Sequence, residues 1–369
     1  MRQSIPAGQN QVSAIDFINS LIQKELRQVL EHSNPNNQPE AIGKSINYYK
    51  SCLNRTSINA KSVKAMTMMI ESMGGLMLTS KMNVSADWSL DSLLKNTTKY
   101  SLSSFFSVDV GADDKNVSTS IIQINQGGLG LGDGTRDYYV NKTVDKDPVM
   151  VAYAMMLQKY AELIVGESNV EMDEIYNVVR FEQALAMVQQ SQAEMRDPNA
   201  IYNKVNVDWL QKNSNFINWF NYFESIFYYS GLFIPNTQPV LVYSTPYIEK
   251  IVKVVQQFLS TEQGKRTIQN YVVLMAINDY GSKLGDAFQA AYYNFQGVFA
   301  GTQGAPETWQ ICVTDTDAAI GFASGALYID SYFTAKEKDK ASSVIDSIIS
   351  TFRTRVQNVC FHLQIICCS

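Results

Sequence analysis

Apolar residues recur every three to four positions over most of this chain, so helix is the expected backbone state. Val12, Ile15, Ile18, Ile22, Leu26, Val29 and Leu30 fall on one stripe of a first helix. Ser13 with Asp16 three residues on has capping-box spacing and marks its start. Asn34-Pro35-Asn36-Asn37 ends it, and Pro39 suits the first turn of a second helix carrying Ile42, Ile46, Tyr49 and Leu53 on one side. A short helix is predicted over 84–100. Helical spacing returns from Pro148, over about 148–166, 168–194, 246–260 and 266–298, then over Thr314 to Phe333 and Ala341 to Val356. Phe216 to Phe223 is densely aromatic, which at helical spacing predicts core. Arg196-Asp197-Pro198-Asn199 and Pro235-Asn236 are breaks.

In one region the period drops to two. Phe106, Val108 and Val110 alternate with polar residues, as do Ile122 and Ile124 with Gln123 and Asn125. The turn-rich Gly111-Ala112-Asp113-Asp114-Lys115-Asn116 lies between them, so a β hairpin is expected over about 104–125. The fold class is therefore mainly α: many helices with one small antiparallel hairpin.

A glycine-rich stretch, Asn125 to Tyr139, follows the hairpin. By composition it could cradle a phosphate. Its glycines at 127, 128, 130, 132 and 134 do not give G-x-G-x-x-G in register, and no Gly-Lys-Ser/Thr follows. Glycines two apart suit a backbone that changes hand often, so a structural role is expected.

Composition narrows the chemistry. The 369 residues are 46% hydrophobic, enough for a sizeable core, and carry a net charge of −5 with Lys and Arg scattered. That gives no support for nucleic acid as a partner. No apolar run approaches the roughly 18 residues of a membrane span, and Met1 to Asn10 is too polar for a signal peptide. The sequence alone therefore shows no membrane segment and no route out of the cytosol. Five glycosylation sequons point the other way, at Asn54, Asn83, Asn96, Asn116 and Asn141. A chain this rich in Asn and Ser meets the sequon roughly four times by chance.

There are two histidines, His32 and His362. A His-Glu-x-x-His zinc motif needs a pair four apart and is impossible with these. His32 near a helix C-terminus suits the dipole. His362 lies between Cys360 and Cys367-Cys368, a spacing that matches no common zinc site. No catalytic and no metal-binding residue is assigned, and no cofactor is expected in this chain.

Several blocks, in order, resemble the N-terminal domain of the neprilysin-like zinc metallopeptidases, family M13. They begin with Tyr48-Tyr49-Lys50-Ser51-Cys52-Leu53-Asn54 and Trp88. Next come Phe105-Phe106-Ser107-Val108-Asp109 with Asp113-Asp114-Lys115-Asn116, and then Gln126 to Tyr139, ending Arg136-Asp137-Tyr138-Tyr139. Asp197 to Lys204, Val242-Tyr243, Trp309 to Val313 and Gly321 to Tyr328 with Phe333 complete the series. The resemblance covers about residues 12–356, with 1–11 as a disordered start and 357–369 as a divergent tail. It implies a mostly helical domain that covers a catalytic domain, the two enclosing a chamber for short peptides. Zinc and its ligands belong to the catalytic part in complete family members, which are metalloendopeptidases of the cell surface and exterior. Loss of the pattern near Val356 implies a truncated isoform, a gene-model error or a degenerate copy, inactive by itself. Peptides are then met through the catalytic half, and another M13 chain is a conceivable partner. A non-catalytic peptide-binding or interaction protein is the alternative.

The resemblance also implies that Cys52 and Cys312 are disulfide partners; two buried thiols are the alternative if the chain stays in the cytosol. Relatives of the neprilysin type hold a substrate's terminal carboxylate with an Arg, Asp, Arg group. Its ungapped equivalents are Gln11, Asp16 and Asn19, so only Asp16 remains as a substrate-binding candidate. Uncharged amides cannot form a charged clamp on a carboxylate, which favours plain endopeptidase specificity.

Overall fold

The computed structural model describes residues 5–100 and 102–363, with the side chains of 229 and 357–363 left out. The side chains of Cys360 and His362, and all of Cys367 and Cys368, therefore lie outside what is described, as do residues 1–4. In chain order the first elements are α1 (Ala14–His32), α2 (Glu40–Leu53), α3 (Arg55–Ser72) and α4 (Leu90–Thr97). The strands β1 (Phe106–Asp113) and β2 (Asn116–Gln126) follow, then α5 (Arg136–Tyr139), α6 (Pro148–Val165) and α7 (Met172–Val188). Next come β3 (Asn203–Asn206), α8 (Val207–Asn213), α9 (Trp219–Phe227) and β4 (Pro239–Val242). The chain continues through α10 (Thr245–Leu259), α11 (Glu262–Gly281), α12 (Asp286–Phe299), α13 (Thr308–Tyr332) and α14 (Ala335–Leu363). The mainly α class holds. These elements form two compact units, one of residues 56–305 and one built from both chain ends, 1–55 with 306–369.

In the central unit, α11 is buried along most of its length, from Arg266 through Ile277. A helical segment that is apolar all round, as Val272 to Ile277 is, belongs inside a core. The expected 266–298 helix is two helices, α11 and α12, separated at residues 282–285. One buried ion pair in this core joins Arg266 to Glu174. Arg266 donates from Nη2 to Glu174 Oε1 at 2.8 Å, from Nε to Oε2 at 3.2 Å and from Nη1 to the Met82 carbonyl at 2.8 Å. The aromatic segment is core as expected: Trp219 and Phe223 are fully buried, and the Trp219 ring lies 4.6 Å from that of Phe106.

The hairpin is present, and it is part of something larger. β1 and β2 pair antiparallel from Phe106↔Gln126, with a bulge at Ala112/Asp113. β4 adds to β2 in parallel and β3 pairs antiparallel with β4, giving a mixed sheet of order β1-β2-β4-β3. β3 and β4 are four residues each, too short to show a period. The buried Asp113 ties the hairpin turn to β3, accepting from Lys204 Nζ at 2.7 Å and Tyr202 Oη at 2.9 Å.

In the terminal unit, Ser13 caps α1 with Asp16 in the expected reciprocal box. Only the second half of the α1 stripe is core. Leu26 and Leu30 are buried with Ile46, Tyr49, Val313 and Leu327, whereas Ile15 and Ile18 are exposed. Periodicity reports a stripe; it does not report whether a partner covers it. Pro39 stands at the N-cap of α2, one residue before the expected place. The helix expected over Thr314 to Phe333 starts at Thr308 and kinks at Ile320 (φ −142°, ψ 40°). Cys52 on α2 and Cys312 on α13 are joined in a disulfide, their Cα atoms 5.6 Å apart.

Candidate functional site

The glycine-rich stretch lines a polar cleft of about 580 Å³ in the central unit. The end of β2 delivers Asn125 and Gln126. The stretch itself supplies one rim, Arg136 opens α5, and Gln189, Gln190 and Gln192 follow the end of α7. Side-chain amides hold the two walls together. Gln126 Nε2 donates to the Gln190 carbonyl at 3.2 Å, and the Gln190 N–H donates to Gln126 Oε1 at 2.5 Å. Gln189 Nε2 donates to the Gly127 carbonyl at 2.8 Å, and Arg136 Nε donates to the Gln189 carbonyl at 2.9 Å.

The glycines are needed where they stand. A Cβ on Gly127 would sit 2.6 Å from the Phe105 carbonyl carbon, and Gly132 has φ +108°, which side-chain-bearing residues rarely adopt. Four of the loop's N–H groups are spent within the fold. Gly128 donates to the Ser103 carbonyl, Gly132 to the Leu129 carbonyl, Leu131 to the Tyr139 hydroxyl, and Gly130 to Glu182 Oε1. A phosphate cradle needs those donors free, so the structural reading of the stretch stands.

Beneath the loop lies Glu182, fully buried on α7. Burial pushes its carboxyl up to about 7, against the Gly130 N–H and the Tyr153 and Tyr139 hydroxyls, which favour the charged form. Oε2 has no hydrogen-bond partner. Sequence reasoning missed this residue, although a signal existed. Ile175, Val178, Val179, Glu182, Leu185 and Ala186 share one helical face, so a carboxyl stands on an otherwise apolar stripe. It also missed Gln189, Gln190 and Gln192, visible only as a glutamine-rich helix exit.

The residues singled out from sequence lie apart from this cleft. The Asp16 carboxylate accepts from the Ser13 N–H at 2.8 Å and from its hydroxyl at 2.7 Å, so it is engaged as a cap. Asn54, Asn83, Asn116 and Asn141 are exposed. Asn96 is half-buried on α4, beside the buried Thr97. His32 Nδ1 lies 2.8 Å from the Gln28 carbonyl in the last turn of α1. Among the described residues, no three His, Cys, Asp or Glu side chains converge as a metal site. No helix among them is long and apolar enough to cross a membrane.

Comparison with known proteins agrees with this architecture. The model of peptidase family M13, N-terminal part, matches residues 1–360. An endothelin-converting enzyme homolog of Locusta migratoria is 32% identical over 336 residues, 90% of this chain and 46% of that protein. Neprilysin-3 of Drosophila melanogaster is 30% identical over 357 residues, 96% of this chain and 45% of that protein. Endothelin-converting enzyme 1 of Homo sapiens is 31% identical over 333 residues. The crystal structure of Mycobacterium tuberculosis zinc metalloprotease ZMP1 in complex with inhibitor has the same fold at 18% identity. Its TM-score is 0.77 over 95% of this chain and 50% of that one. The chain thus spans about half the length of the curated relatives it matches. On the family match and these identities together, the chain belongs to peptidase family M13.

Proposed function

We propose that these residues act as the cover domain of a neprilysin-like zinc metalloendopeptidase, forming one wall of a chamber for short peptides. The observation that carries this is the family match over residues 1–360. Activating water for peptide hydrolysis needs the metal and its ligands, so on this reading the chain by itself does not cleave peptides. The engaged Asp16, flanked by Gln11 and Asn19, favours endopeptidase specificity over capture of a terminal carboxylate. The Cys52–Cys312 disulfide supports an oxidising compartment, in which the exposed sequons would be used.

The test is reconstitution. The chain is co-expressed with the half of the locust relative that it does not span. Zinc-dependent peptide hydrolysis that appears only when both are present supports the reading; no complex and no hydrolysis would sink it.

The amide-lined cleft favours a second reading, a non-catalytic peptide binder. Backbone amides of an extended peptide are matched by Asn125 and Gln192 with Arg136 beside them. Titrating a mixed peptide pool into the chain, and into Arg136→Ala, decides it: heat of binding that weakens in the variant supports the reading, and none removes it.

A further inference from the structure

We propose that the chain takes extended peptides by strand addition along the free edge of β1, and that it prefers an apolar residue next to a basic one. This rests on the peptide-binding reading of the amide cleft. It adds how the peptide backbone is held and which side chains are chosen.

β1 is an outer strand of the order β1-β2-β4-β3, so one of its edges pairs with no strand. The direction of its backbone groups follows from its neighbours. The Tyr243 N–H donates to the Ile124 carbonyl at 2.9 Å, which sets the N–H and C=O of Ile124 toward β4. Alternation along β2 then sets those of Gln123 and Asn125 toward β1, onto their partners Asp109 and Ser107. Phe106 and Val108 alternate with these partners and therefore hold their N–H and C=O outward. None of the described backbone bonds outside regular helices and strands reaches Phe106 or Val108. An edge of this kind is a template for a further strand. The bulge that interrupts pairing comes only at Ala112/Asp113.

Space for that strand exists. A groove of about 470 Å³ is lined by four consecutive residues, Phe106 to Asp109. Successive side chains of a strand leave on opposite faces, so a volume that touches all four lies along the edge itself. It shares Ser103, Ser107 and Asp109 with the amide cleft, so the two are continuous. Its sides differ in chemistry. The face of Phe106 and Val108 is completed by Tyr222 and Ile226 of α9, with the Tyr222 ring 5.1 Å from that of Phe106. That wall suits one apolar side chain. On the other face, at the end shared with the cleft, stands Asp109, exposed and with no ion pair among the described residues. Lys99 stands at the opposite end, which is shared with the pocket between α4 and α9. The next residue of an extended peptide faces the Asp109 carboxylate, where a lysine or arginine is complementary in charge. Main-chain bonds to the edge supply affinity, and the alternate side chains supply selectivity.

The probe is a blocked hexapeptide alternating valine and lysine, titrated by calorimetry. Val108→Pro removes an outward N–H and leaves the ladder to β2 intact, and edge strands tolerate proline. It should weaken binding roughly tenfold, the upper range for a lost hydrogen bond. Asp109→Asn should weaken the valine–lysine peptide and leave a valine–serine counterpart unchanged; an equal effect on both peptides, or none, overturns the basic preference. Should Val108→Pro not fold, the wild type decides with two further probes, N-methylated on the valines or on the lysines. Alternate residues of an added strand face the edge, so one of these should lose binding roughly tenfold or more and the other keep it. If the parent peptide binds and weakens in Arg136→Ala, while Val108→Pro or both methylated probes match their parents, the cleft takes peptide and the edge pairing is overturned. If neither the peptide pool nor this probe binds the wild type, the peptide-binding reading fails, and the edge pairing with it.

Discussion

Glu182 occupies a position that periodicity assigns to the core, and its chemistry is set by what surrounds it there. Sequence could show a carboxyl on an apolar face. It could not show that the cover over that face is a glycine loop 52 residues upstream, because tertiary neighbours are not encoded locally. The glycines were legible as structural, and their reasons now have atoms attached. Gly127→Ala should destabilise by about 1–3 kcal/mol, as overpacked cores do, because its Cβ meets the Phe105 backbone, which cannot swing aside. Denaturant unfolding checks this, and an unchanged midpoint would contradict it. A second test at this scale is the buried Arg266–Glu174 pair. Arg266→Met alone should cost about 3–5 kcal/mol by stranding a buried carboxylate. Adding Glu174→Leu should recover much of that loss. Additive losses in the double variant would mean the pair is not coupled.

At the scale of elements, what could be read from sequence was set by length and by burial on one side. Long helices with one apolar face, such as α6 and α10, were placed within a residue or two because their period is repeated many times. β1 and β2 were found because alternation persists. The four-residue strands β3 and β4 were not, since pairing of β4 with β2 and of β3 with β4 makes them strands. α11 and α12 merged because Ile277, Tyr280, Leu284 and Phe288 keep three-to-four spacing across the break at residues 282–285. The pairing of α2 with α13 through Cys52 and Cys312 came from family resemblance alone; spacing offers no route to a link across 260 residues. Its removal should be costly. Cys52→Ser with Cys312→Ser should lower stability by up to about 5 kcal/mol in the loop-entropy view. The check is thermal unfolding of oxidised wild type against the double variant. Equal midpoints would show that the link contributes nothing.

At the scale of the whole molecule, two features meet. The terminal unit carries a long exposed apolar stripe on α14, including Ile345, Ile348 and Phe352 at 55%, 63% and 67% exposure. Exposed patches of this kind drive association. Sedimentation velocity should therefore show concentration-dependent association of the 369-residue chain, reduced by Ile348→Glu with Phe352→Glu. A monomer at every concentration would contradict this. The second feature is chemical: the chain carries the fold of an M13 N-terminal domain and a polar cleft of about 580 Å³, and no three His, Cys, Asp or Glu side chains converge among its described residues. The most direct measurement is peptide hydrolysis by the purified chain, with zinc added and with zinc chelated. The account predicts no cleavage above background in either condition. Zinc-dependent, chelator-sensitive cleavage that co-purifies with the chain would contradict it.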